Sequence, residues 1–210
     1  MPTYSGRDRQ TKRGGTQGRL SEGRHTLAVV TDLAWAMLGT PVGPLSVGCG
    51  PAGVSQVRFG AQPRAASAAG TVPGAARELS GAALAQLTEY FAGQRRRFDL
   101  PIDWSRMSRL QQQVLAVLFD AVGYGETVSY GELARRVPSV RRVAYVPARA
   151  IGRIMGSNPI PVIVPCHRVV ASDGLGGYSG GTGPEVKHWL LVFEGALPPT
   201  LDWELAGLPA

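Results

Sequence analysis

The stretch Asn158-Pro-Ile-Pro-Val-Ile-Val-Pro-Cys-His-Arg-Val-Val170 combines a strong extended pattern with two reactive side chains. Its three prolines remove backbone donors, so the β-branched run predicts a buried extended connector and not a central strand. The connector ends at Cys166 and His167. A cysteine sulfur is nucleophilic as the thiolate, which a nearby imidazole favours. Neighbouring side chains of an extended chain point to opposite sides, so a partnership of His167 with Cys166 needs a turn or a bridging water. The alternative is a structural cysteine beside a surface histidine.

Helix-start signals precede this connector. Ser108 with Gln111 and Ser129 with Glu132 each form a capping-box pattern, and Pro147 suits the first position of a further helix. The helices predicted after Ser129 and from Pro147 are both short. The helix from Pro147 carries Arg149 and Arg153 one turn apart, so the pair could form a helix-turn-helix.

A glycine-rich segment and a final helix follow the connector. The segment 174–181 does not match a phosphate-binding pattern, so we interpret it as a loop that carries Tyr178 and Ser179. Pro184 predicts the start of the last helix, and Glu194 lies at the margin of its apolar face. The Glu194 carboxylate is either solvated or a partly buried partner for His167.

The N-terminal half predicts a small α/β domain. Short apolar stretches alternate with turn signals up to Phe59, which indicates a β-meander with Cys49 in its core. Residues 60–78 predict a loop, and a helix is expected at about 80–92. Residues 1–26 lack apolar periodicity, which predicts a disordered tail.

Positive charge is concentrated in one segment. Between Arg135 and Ser172 there are seven arginines and no acidic residue, whereas the other residues carry 15 basic and 15 acidic groups. Such a segment attracts phosphate backbones, although a solvated surface is the alternative reading. The whole +7 formal charge therefore belongs to these 38 residues.

Composition excludes several classes of protein. The 210 residues are 44% hydrophobic and 18% charged, which suffices for one or two cores. No apolar run approaches the ~18 residues of a membrane span, and the first residues are too polar for a secretory signal. Two cysteines and three histidines predict neither a disulfide scaffold nor a structural metal, and no cofactor is expected. We therefore expect a soluble protein of the reducing cytoplasm, associated with the nucleoid if it is bacterial.

Four motifs resemble those of the O6-alkylguanine-DNA alkyltransferases, also called methylated-DNA-protein cysteine methyltransferases. They are Tyr124-Gly-Glu-Thr-Val-Ser-Tyr-Gly-Glu-Leu-Ala134, Asn158 to Val170, Gly177-Tyr-Ser-Gly-Gly181 and Lys187-His-Trp-Leu-Leu-Val-Phe-Glu194. Weaker similarity extends upstream to Thr40-Pro-Val-Gly-Pro-Leu45 and Val57-Arg-Phe-Gly60, and residues 1–26 match nothing.

The resemblance implies an α+β fold in two domains behind the tail at 1–26. Residues 27–103 would form a ribonuclease-H-like β-meander domain with a helix. Residues 104–210 would form a mostly helical, winged-helix-like domain with a helix-turn-helix, which binds DNA and accepts the alkyl group.

The implied reaction is irreversible, single-turnover transfer of an alkyl group from O6-alkylguanine, and also O4-alkylthymine, in DNA to Cys166. His167 and Glu194 would relay the thiol proton through water, and Asn158 would brace the turn before the active-site segment. Tyr130 would press on a backbone phosphate and donate a hydrogen bond to the flipped guanine.

The partner implied is double-stranded DNA, bound in the minor groove by a monomer. Arg149 would replace the extruded nucleotide in the base stack, while Arg153 and Arg141 would contact phosphates. The residues expected to line the guanine and alkyl pocket are Met155, Pro161, Val169, Tyr178 and Ser179.

The sequence departs from the family pattern in three ways. The stretch 135–148 is longer than the usual turn between the two helices, Leu115 and Val122-Gly123 replace common family residues, and the N-terminal zinc cysteines of some members are missing. Two other functions are alternatives. A non-catalytic sensor of alkylated DNA would lack the active cysteine, and a thiol hydrolase would need an oxyanion hole.

Overall fold

A three-stranded antiparallel meander opens the fold. Strands β1 (Ala34–Leu38), β2 (Leu45–Gly50) and β3 (Gly53–Phe59) pair in the order β1-β2-β3. The computed structural model describes residues 33–60, 72–138 and 146–199, so the predicted tail at 1–26 and Arg141 lie outside the described residues. Cys49 is fully buried in β2, as the alternation predicts.

Helix α1 (Gly74–Phe91) packs on this sheet. It begins at Gly74 rather than near residue 80, because Pro73 stands at its N-cap and the small Ala76 is already fully buried. Alanine and glycine give no clear apolar periodicity, which is why the sequence predicted a loop there. Gly93 ends the helix with a φ of +73°, and its N–H donates to the carbonyl of Tyr90.

Three helices follow with the predicted caps. In α2 (Arg109–Ala121) the Ser108 hydroxyl accepts from the N–H of Gln111, and in α3 (Tyr130–Arg136) Ser129 does the same for Glu132. Helix α4 (Ala148–Gly156) has Pro147 as its N-cap. The sequence placed Pro147 at the first helical position, so the helix begins one residue later than predicted. Helices α2, α3 and α4 pack against one another.

The connector after α4 is buried, as expected, but it is not extended: a turn at residues 162–163 brings Pro161 and Val164 together, and the N–H of Val164 donates to the carbonyl of Ile160 at 2.9 Å. Prolines exclude a central strand, but they are equally compatible with turns. Residues Cys166–Arg168 form one turn of 3₁₀-helix. The chain then enters β5 (Val169–Val170), which pairs in parallel with β4 (Val128–Ser129) ahead of α3. Helix α5 (Pro184–Phe193) follows, and Gly195 lies just beyond it with a φ of +75°.

The sheet, α1 and the C-terminal helices share one buried core, so the α+β architecture predicted from the sequence is confirmed. Tyr90 of α1 is fully buried where these parts meet. Within the described ranges no helix is both long and apolar enough to cross a membrane.

Candidate active site

Cys166 lies at the wall of a cavity of about 350 Å³, and only 4% of the residue is exposed. Cys166 begins the 3₁₀ turn, and a turn is one of the two arrangements, beside a bridging water, by which His167 could act on it. The cavity is lined by residues of β3, the connector and the glycine-rich loop: Val57, Arg58, Phe59, Asn158, Pro161, Cys166, Ser179, Gly180 and Gly181. The N-terminal sheet therefore contributes one wall of the pocket.

Asn158 holds the connector in its bend. Its amide nitrogen donates to the carbonyl of Val164 at 2.9 Å, and its amide oxygen accepts from the N–H of Ile160 at 3.0 Å. Val162, inside this bend, has a φ of +73°, which is uncommon for a β-branched residue. Side-chain hydrogen bonds to both arms of the bend supply part of the energy that holds this conformation.

His167 and Glu194 meet in the core. His167 Nε2 lies 3.0 Å from Glu194 Oε1, and both side chains are completely buried. Glu194 is thus the buried partner of His167 and not a solvated carboxylate. The other ring nitrogen, Nδ1, is buried and has no hydrogen-bond partner among the described residues.

The Glu194 carboxylate receives donors from three further directions. Arg168 donates from Nε to Oε2 at 2.8 Å and from Nη2 to Oε1 at 2.9 Å, Tyr90 Oη donates to Oε1 at 2.6 Å, and the N–H of Gly125 lies 3.5 Å from Oε2. Burial by itself would raise the pKa of Glu194, but His167 and Arg168 outweigh it and hold the pKa well below its usual range. Glu194 is therefore an ionised acceptor.

Cys166 and His167 are both neutral in this environment. Burial raises the pKa of the Cys166 thiol to about 11, although Asn158 and the charge of Lys187 lower it in part. Burial also lowers the pKa of His167, and its bond to Glu194 offsets this only partly. A neutral imidazole beside a protonated thiol is the arrangement in which a base accepts the proton as the sulfur reacts.

Lys187 is a buried cation that sequence reasoning missed. It is fully buried, and its Nζ donates to the carbonyls of Val169 at 2.7 Å and Gly177 at 3.2 Å, which ties β5 to the glycine-rich loop. Burial lowers its pKa to about 8. The signal was present in the sequence, because Lys187, Leu190 and Glu194 recur at the spacing of one helix face.

Tyrosines pack against the glycine-rich loop. Tyr130 Oη donates to the carbonyl of Gly177 at 3.4 Å, and a Cβ on Gly176 would lie 3.0 Å from the Tyr130 ring. The Tyr178 hydroxyl is buried without a hydrogen-bond partner in the described part of the chain, and the nearby Cys166 adds to the effect of burial in raising its pKa. A Cβ on Gly180 would meet the rings of Phe59 and Tyr178 at 2.6 Å, so this position requires glycine.

The remaining predicted residues are divided between surface and core. Arg149 and Arg153 are exposed on α4. Pro161 and Ser179 line the cavity with Cys166, whereas Met155 and Val169 are buried and Tyr178 packs edge-on against Phe59. Within the described ranges, no group of three or more His, Cys, Asp and Glu residues is placed to hold a metal ion.

Two sequence profiles match this chain. Residues 33–104 match the ribonuclease-like domain of 6-O-methylguanine DNA methyltransferase, and residues 109–196 match its DNA-binding domain.

Two curated relatives and one solved structure illustrate the similarity. A DNA base-flipping protein of Thermus thermophilus is 39% identical over 166 residues, which cover 76% of this chain and 99% of that protein. The methylated-DNA–protein-cysteine methyltransferase of Mus musculus is 52% identical over 85 residues, 40% of this chain and 37% of its own length. The Mycobacterium tuberculosis OGT in complex with DNA superimposes with a TM-score of 0.60 at 34% identity, over 76% of this chain and 92% of that one.

These similarities cover both halves of the described fold, including the segment that holds Cys166, His167 and Glu194. The chain belongs to the 6-O-methylguanine DNA methyltransferase family.

Proposed function

We propose that this protein repairs DNA by direct reversal, moving a methyl or other alkyl group from O6-alkylguanine, and from O4-alkylthymine, to Cys166. One observation carries the proposal: Cys166 borders an open cavity, and the residue after it, His167, is paired with the buried Glu194. Cys49, the other cysteine, is buried in β2, where burial raises its pKa to about 11, so it is a core residue.

The hydrogen bonds of His167 support one direction of proton flow. Ionised Glu194 only accepts, so His167 carries its proton on Nε2 and presents the lone pair of Nδ1. The unpartnered Nδ1 supports a relay in which a water molecule carries the Cys166 proton to His167.

The step balances without a cofactor. The Cys166 sulfur forms a bond to the alkyl carbon as the bond from that carbon to O6 breaks, and the electron pair stays on the guanine. The guanine then takes up a proton, with Tyr130 proposed as a donor, and the protein keeps a thioether. No residue at the site is able to cleave that bond readily, so each molecule reacts once.

The proposed substrate is the flipped base of duplex DNA. The target oxygen lies inside the base stack, so the nucleotide must leave the helix before Cys166 can reach it. Exposed Arg149 on α4 would fill the gap, and exposed Arg153 would contact a phosphate. Arg141, which lies outside the described residues, would contact another, and the protein would bind the minor groove as a monomer. Similarity to a base-flipping protein and to a DNA-bound structure supports DNA binding.

The second candidate is a non-catalytic sensor of alkylated DNA. The Thermus thermophilus relative is named for base flipping and not for alkyl transfer, which is the reason to consider it. Against it stands Cys166, which borders an open cavity and is followed by a neutral histidine paired with Glu194. A sensor has no need of a polarised imidazole next to its pocket residue.

The experiment is incubation with a duplex oligonucleotide that contains O6-methylguanine, followed by intact mass and peptide mapping. We expect one methyl group per protein molecule, all of it on Cys166. The Cys166→Ser variant should bind the duplex without gaining mass, and Cys49→Ser should react as the natural protein does. Excess lesions repaired by substoichiometric protein, or a methyl group on Cys49, would contradict the proposal.

A further inference from the structure

A tyrosine of the N-terminal half reaches the relay. Tyr90 of α1 donates from its hydroxyl to Glu194 Oε1 at 2.6 Å, across 104 residues of sequence, and the residue is fully buried. The same oxygen faces His167 Nε2 at 3.0 Å. Arg168 Nη2 also donates to this oxygen, at 2.9 Å, so three donors share one carboxylate oxygen.

The ring of Tyr90 is held by aromatic packing that does not involve its hydroxyl. Its centroid lies 5.0 to 6.1 Å from those of four neighbouring rings: Phe91, Phe98, Tyr124 and Phe193. Removing the hydroxyl alone keeps these contacts. Tyr90→Phe consequently isolates the hydrogen bond to Glu194.

Hydrogen bonds to the charged form of a carboxylate stabilise that charge. A donor on Oε1 therefore weakens the attraction of the same oxygen for the imidazolium of His167. A less attracted imidazolium gives up its proton more easily. We propose that Tyr90 is a positioning residue of the alkyl-transfer site, which holds the Glu194 carboxylate and keeps His167 neutral and ready to accept the Cys166 proton. This inference rests on the proposed function.

Other charged and titratable groups around Glu194 stay unchanged in the test. Arg168 lies on the same turn as His167, Tyr124 belongs to the loop after α2, and Lys187 lies on α5 itself. The Arg96 guanidinium lies over the Tyr124 ring at 5.5 Å. Tyr124 donates to the carbonyl of Phe193 at 3.1 Å and has no hydrogen bond to Glu194, so Tyr124→Phe is a matched control.

The test is a titration of His167 by NMR in full-length protein that carries Cys166→Ser, which removes the thiol from the titration. His25 and His188 are assigned through their own substitutions. We expect Tyr90→Phe to raise the pKa of His167 by about 0.5 to 1 unit, since it removes a charge-assisted hydrogen bond. Tyr124→Phe should leave it unchanged. An unshifted His167 in Tyr90→Phe, or an equal shift in Tyr124→Phe, would overturn the inference.

A second readout uses proteins that retain Cys166. The rate of benzyl transfer from free O6-benzylguanine is measured as a function of pH. In Tyr90→Phe the acid limb of this pH–rate profile should move to higher pH by the same amount as the pKa of His167, while the plateau rate is kept. A uniform loss at every pH would make Tyr90 merely structural and overturn the inference. If the natural protein gains no methyl group from the O6-methylguanine duplex, the proposed function fails, whereas the NMR titration, which needs no transfer, still decides whether Tyr90 acts on His167.

Discussion

Arg168 binds the carboxylate of Glu194 through two nitrogens, with Nε 2.8 Å from Oε2 and Nη2 2.9 Å from Oε1, inside the core. Its Nη1 donates to the carbonyl of Val122 at 2.7 Å. This arginine belongs to the acid-free segment that suggested DNA binding. It faces the interior, where its charge neutralises the carboxylate of Glu194.

Removing Arg168 should therefore cost more than removing a surface arginine. Arg168→Leu leaves a buried carboxylate without its main counter-charge, and such losses cost about 3–5 kcal/mol of unfolding free energy. Arg136→Ala, which breaks an exposed pair with Glu132, should cost less than about 1 kcal/mol. Urea denaturation of both variants measures the difference, and comparable losses would contradict the structural role of Arg168.

Acid should destabilise the protein in two stages. The pKa of buried His167 is lowered, so the unfolded chain takes up that proton first and stability falls as pH drops through about 6.5. The pKa of Glu194 is also lowered, so its contribution is present above about 4.3 and is lost below that pH. Thermal unfolding across pH measures both stages. His167→Gln should lack the first, and a natural protein equally stable from neutral to mildly acidic pH would contradict it.

Arg149→Ala should impair repair of duplex DNA far more than reaction with free O6-benzylguanine. Extruding a base costs a few kcal/mol of unstacking and unpairing, and a free base has no stack to leave. Alkyl-transfer rates on the two substrates give the comparison. Equal losses would mean that Arg149 supports the pocket or the fold, and its role in base flipping would be rejected.

Arg153→Ala should weaken DNA binding uniformly across sequences. If Arg153 neutralises one phosphate, the slope of log K against log salt falls by about one unit. Arg141→Ala should behave in the same way. Binding isotherms at several salt concentrations measure the slope, and a slope that matches the natural protein would remove Arg153 from the DNA interface.

Local chemistry made much of the fold predictable. Proline positions excluded a central strand in the connector, although they did not show that it turns at residues 162–163, and the hydroxyls of Ser108 and Ser129 cap the helices that the sequence predicted. Each of these signals acts over a few residues. Helix α1 was predicted too short because Ala76 stabilises it by packing on the sheet and not through a visible apolar stripe.

The sequence by itself determined the α+β architecture and the family, and it singled out Cys166 and His167 as candidate site residues. These conclusions depend on local patterns and a contiguous motif. Only the tertiary structure decided that Glu194 is buried against His167, that Arg168 faces inward and that Tyr90 joins them. A carboxylate at the edge of a helix face is stable either in water or among buried donors. Which environment it meets depends on residues up to 104 positions away, which only folding brings within hydrogen-bond distance.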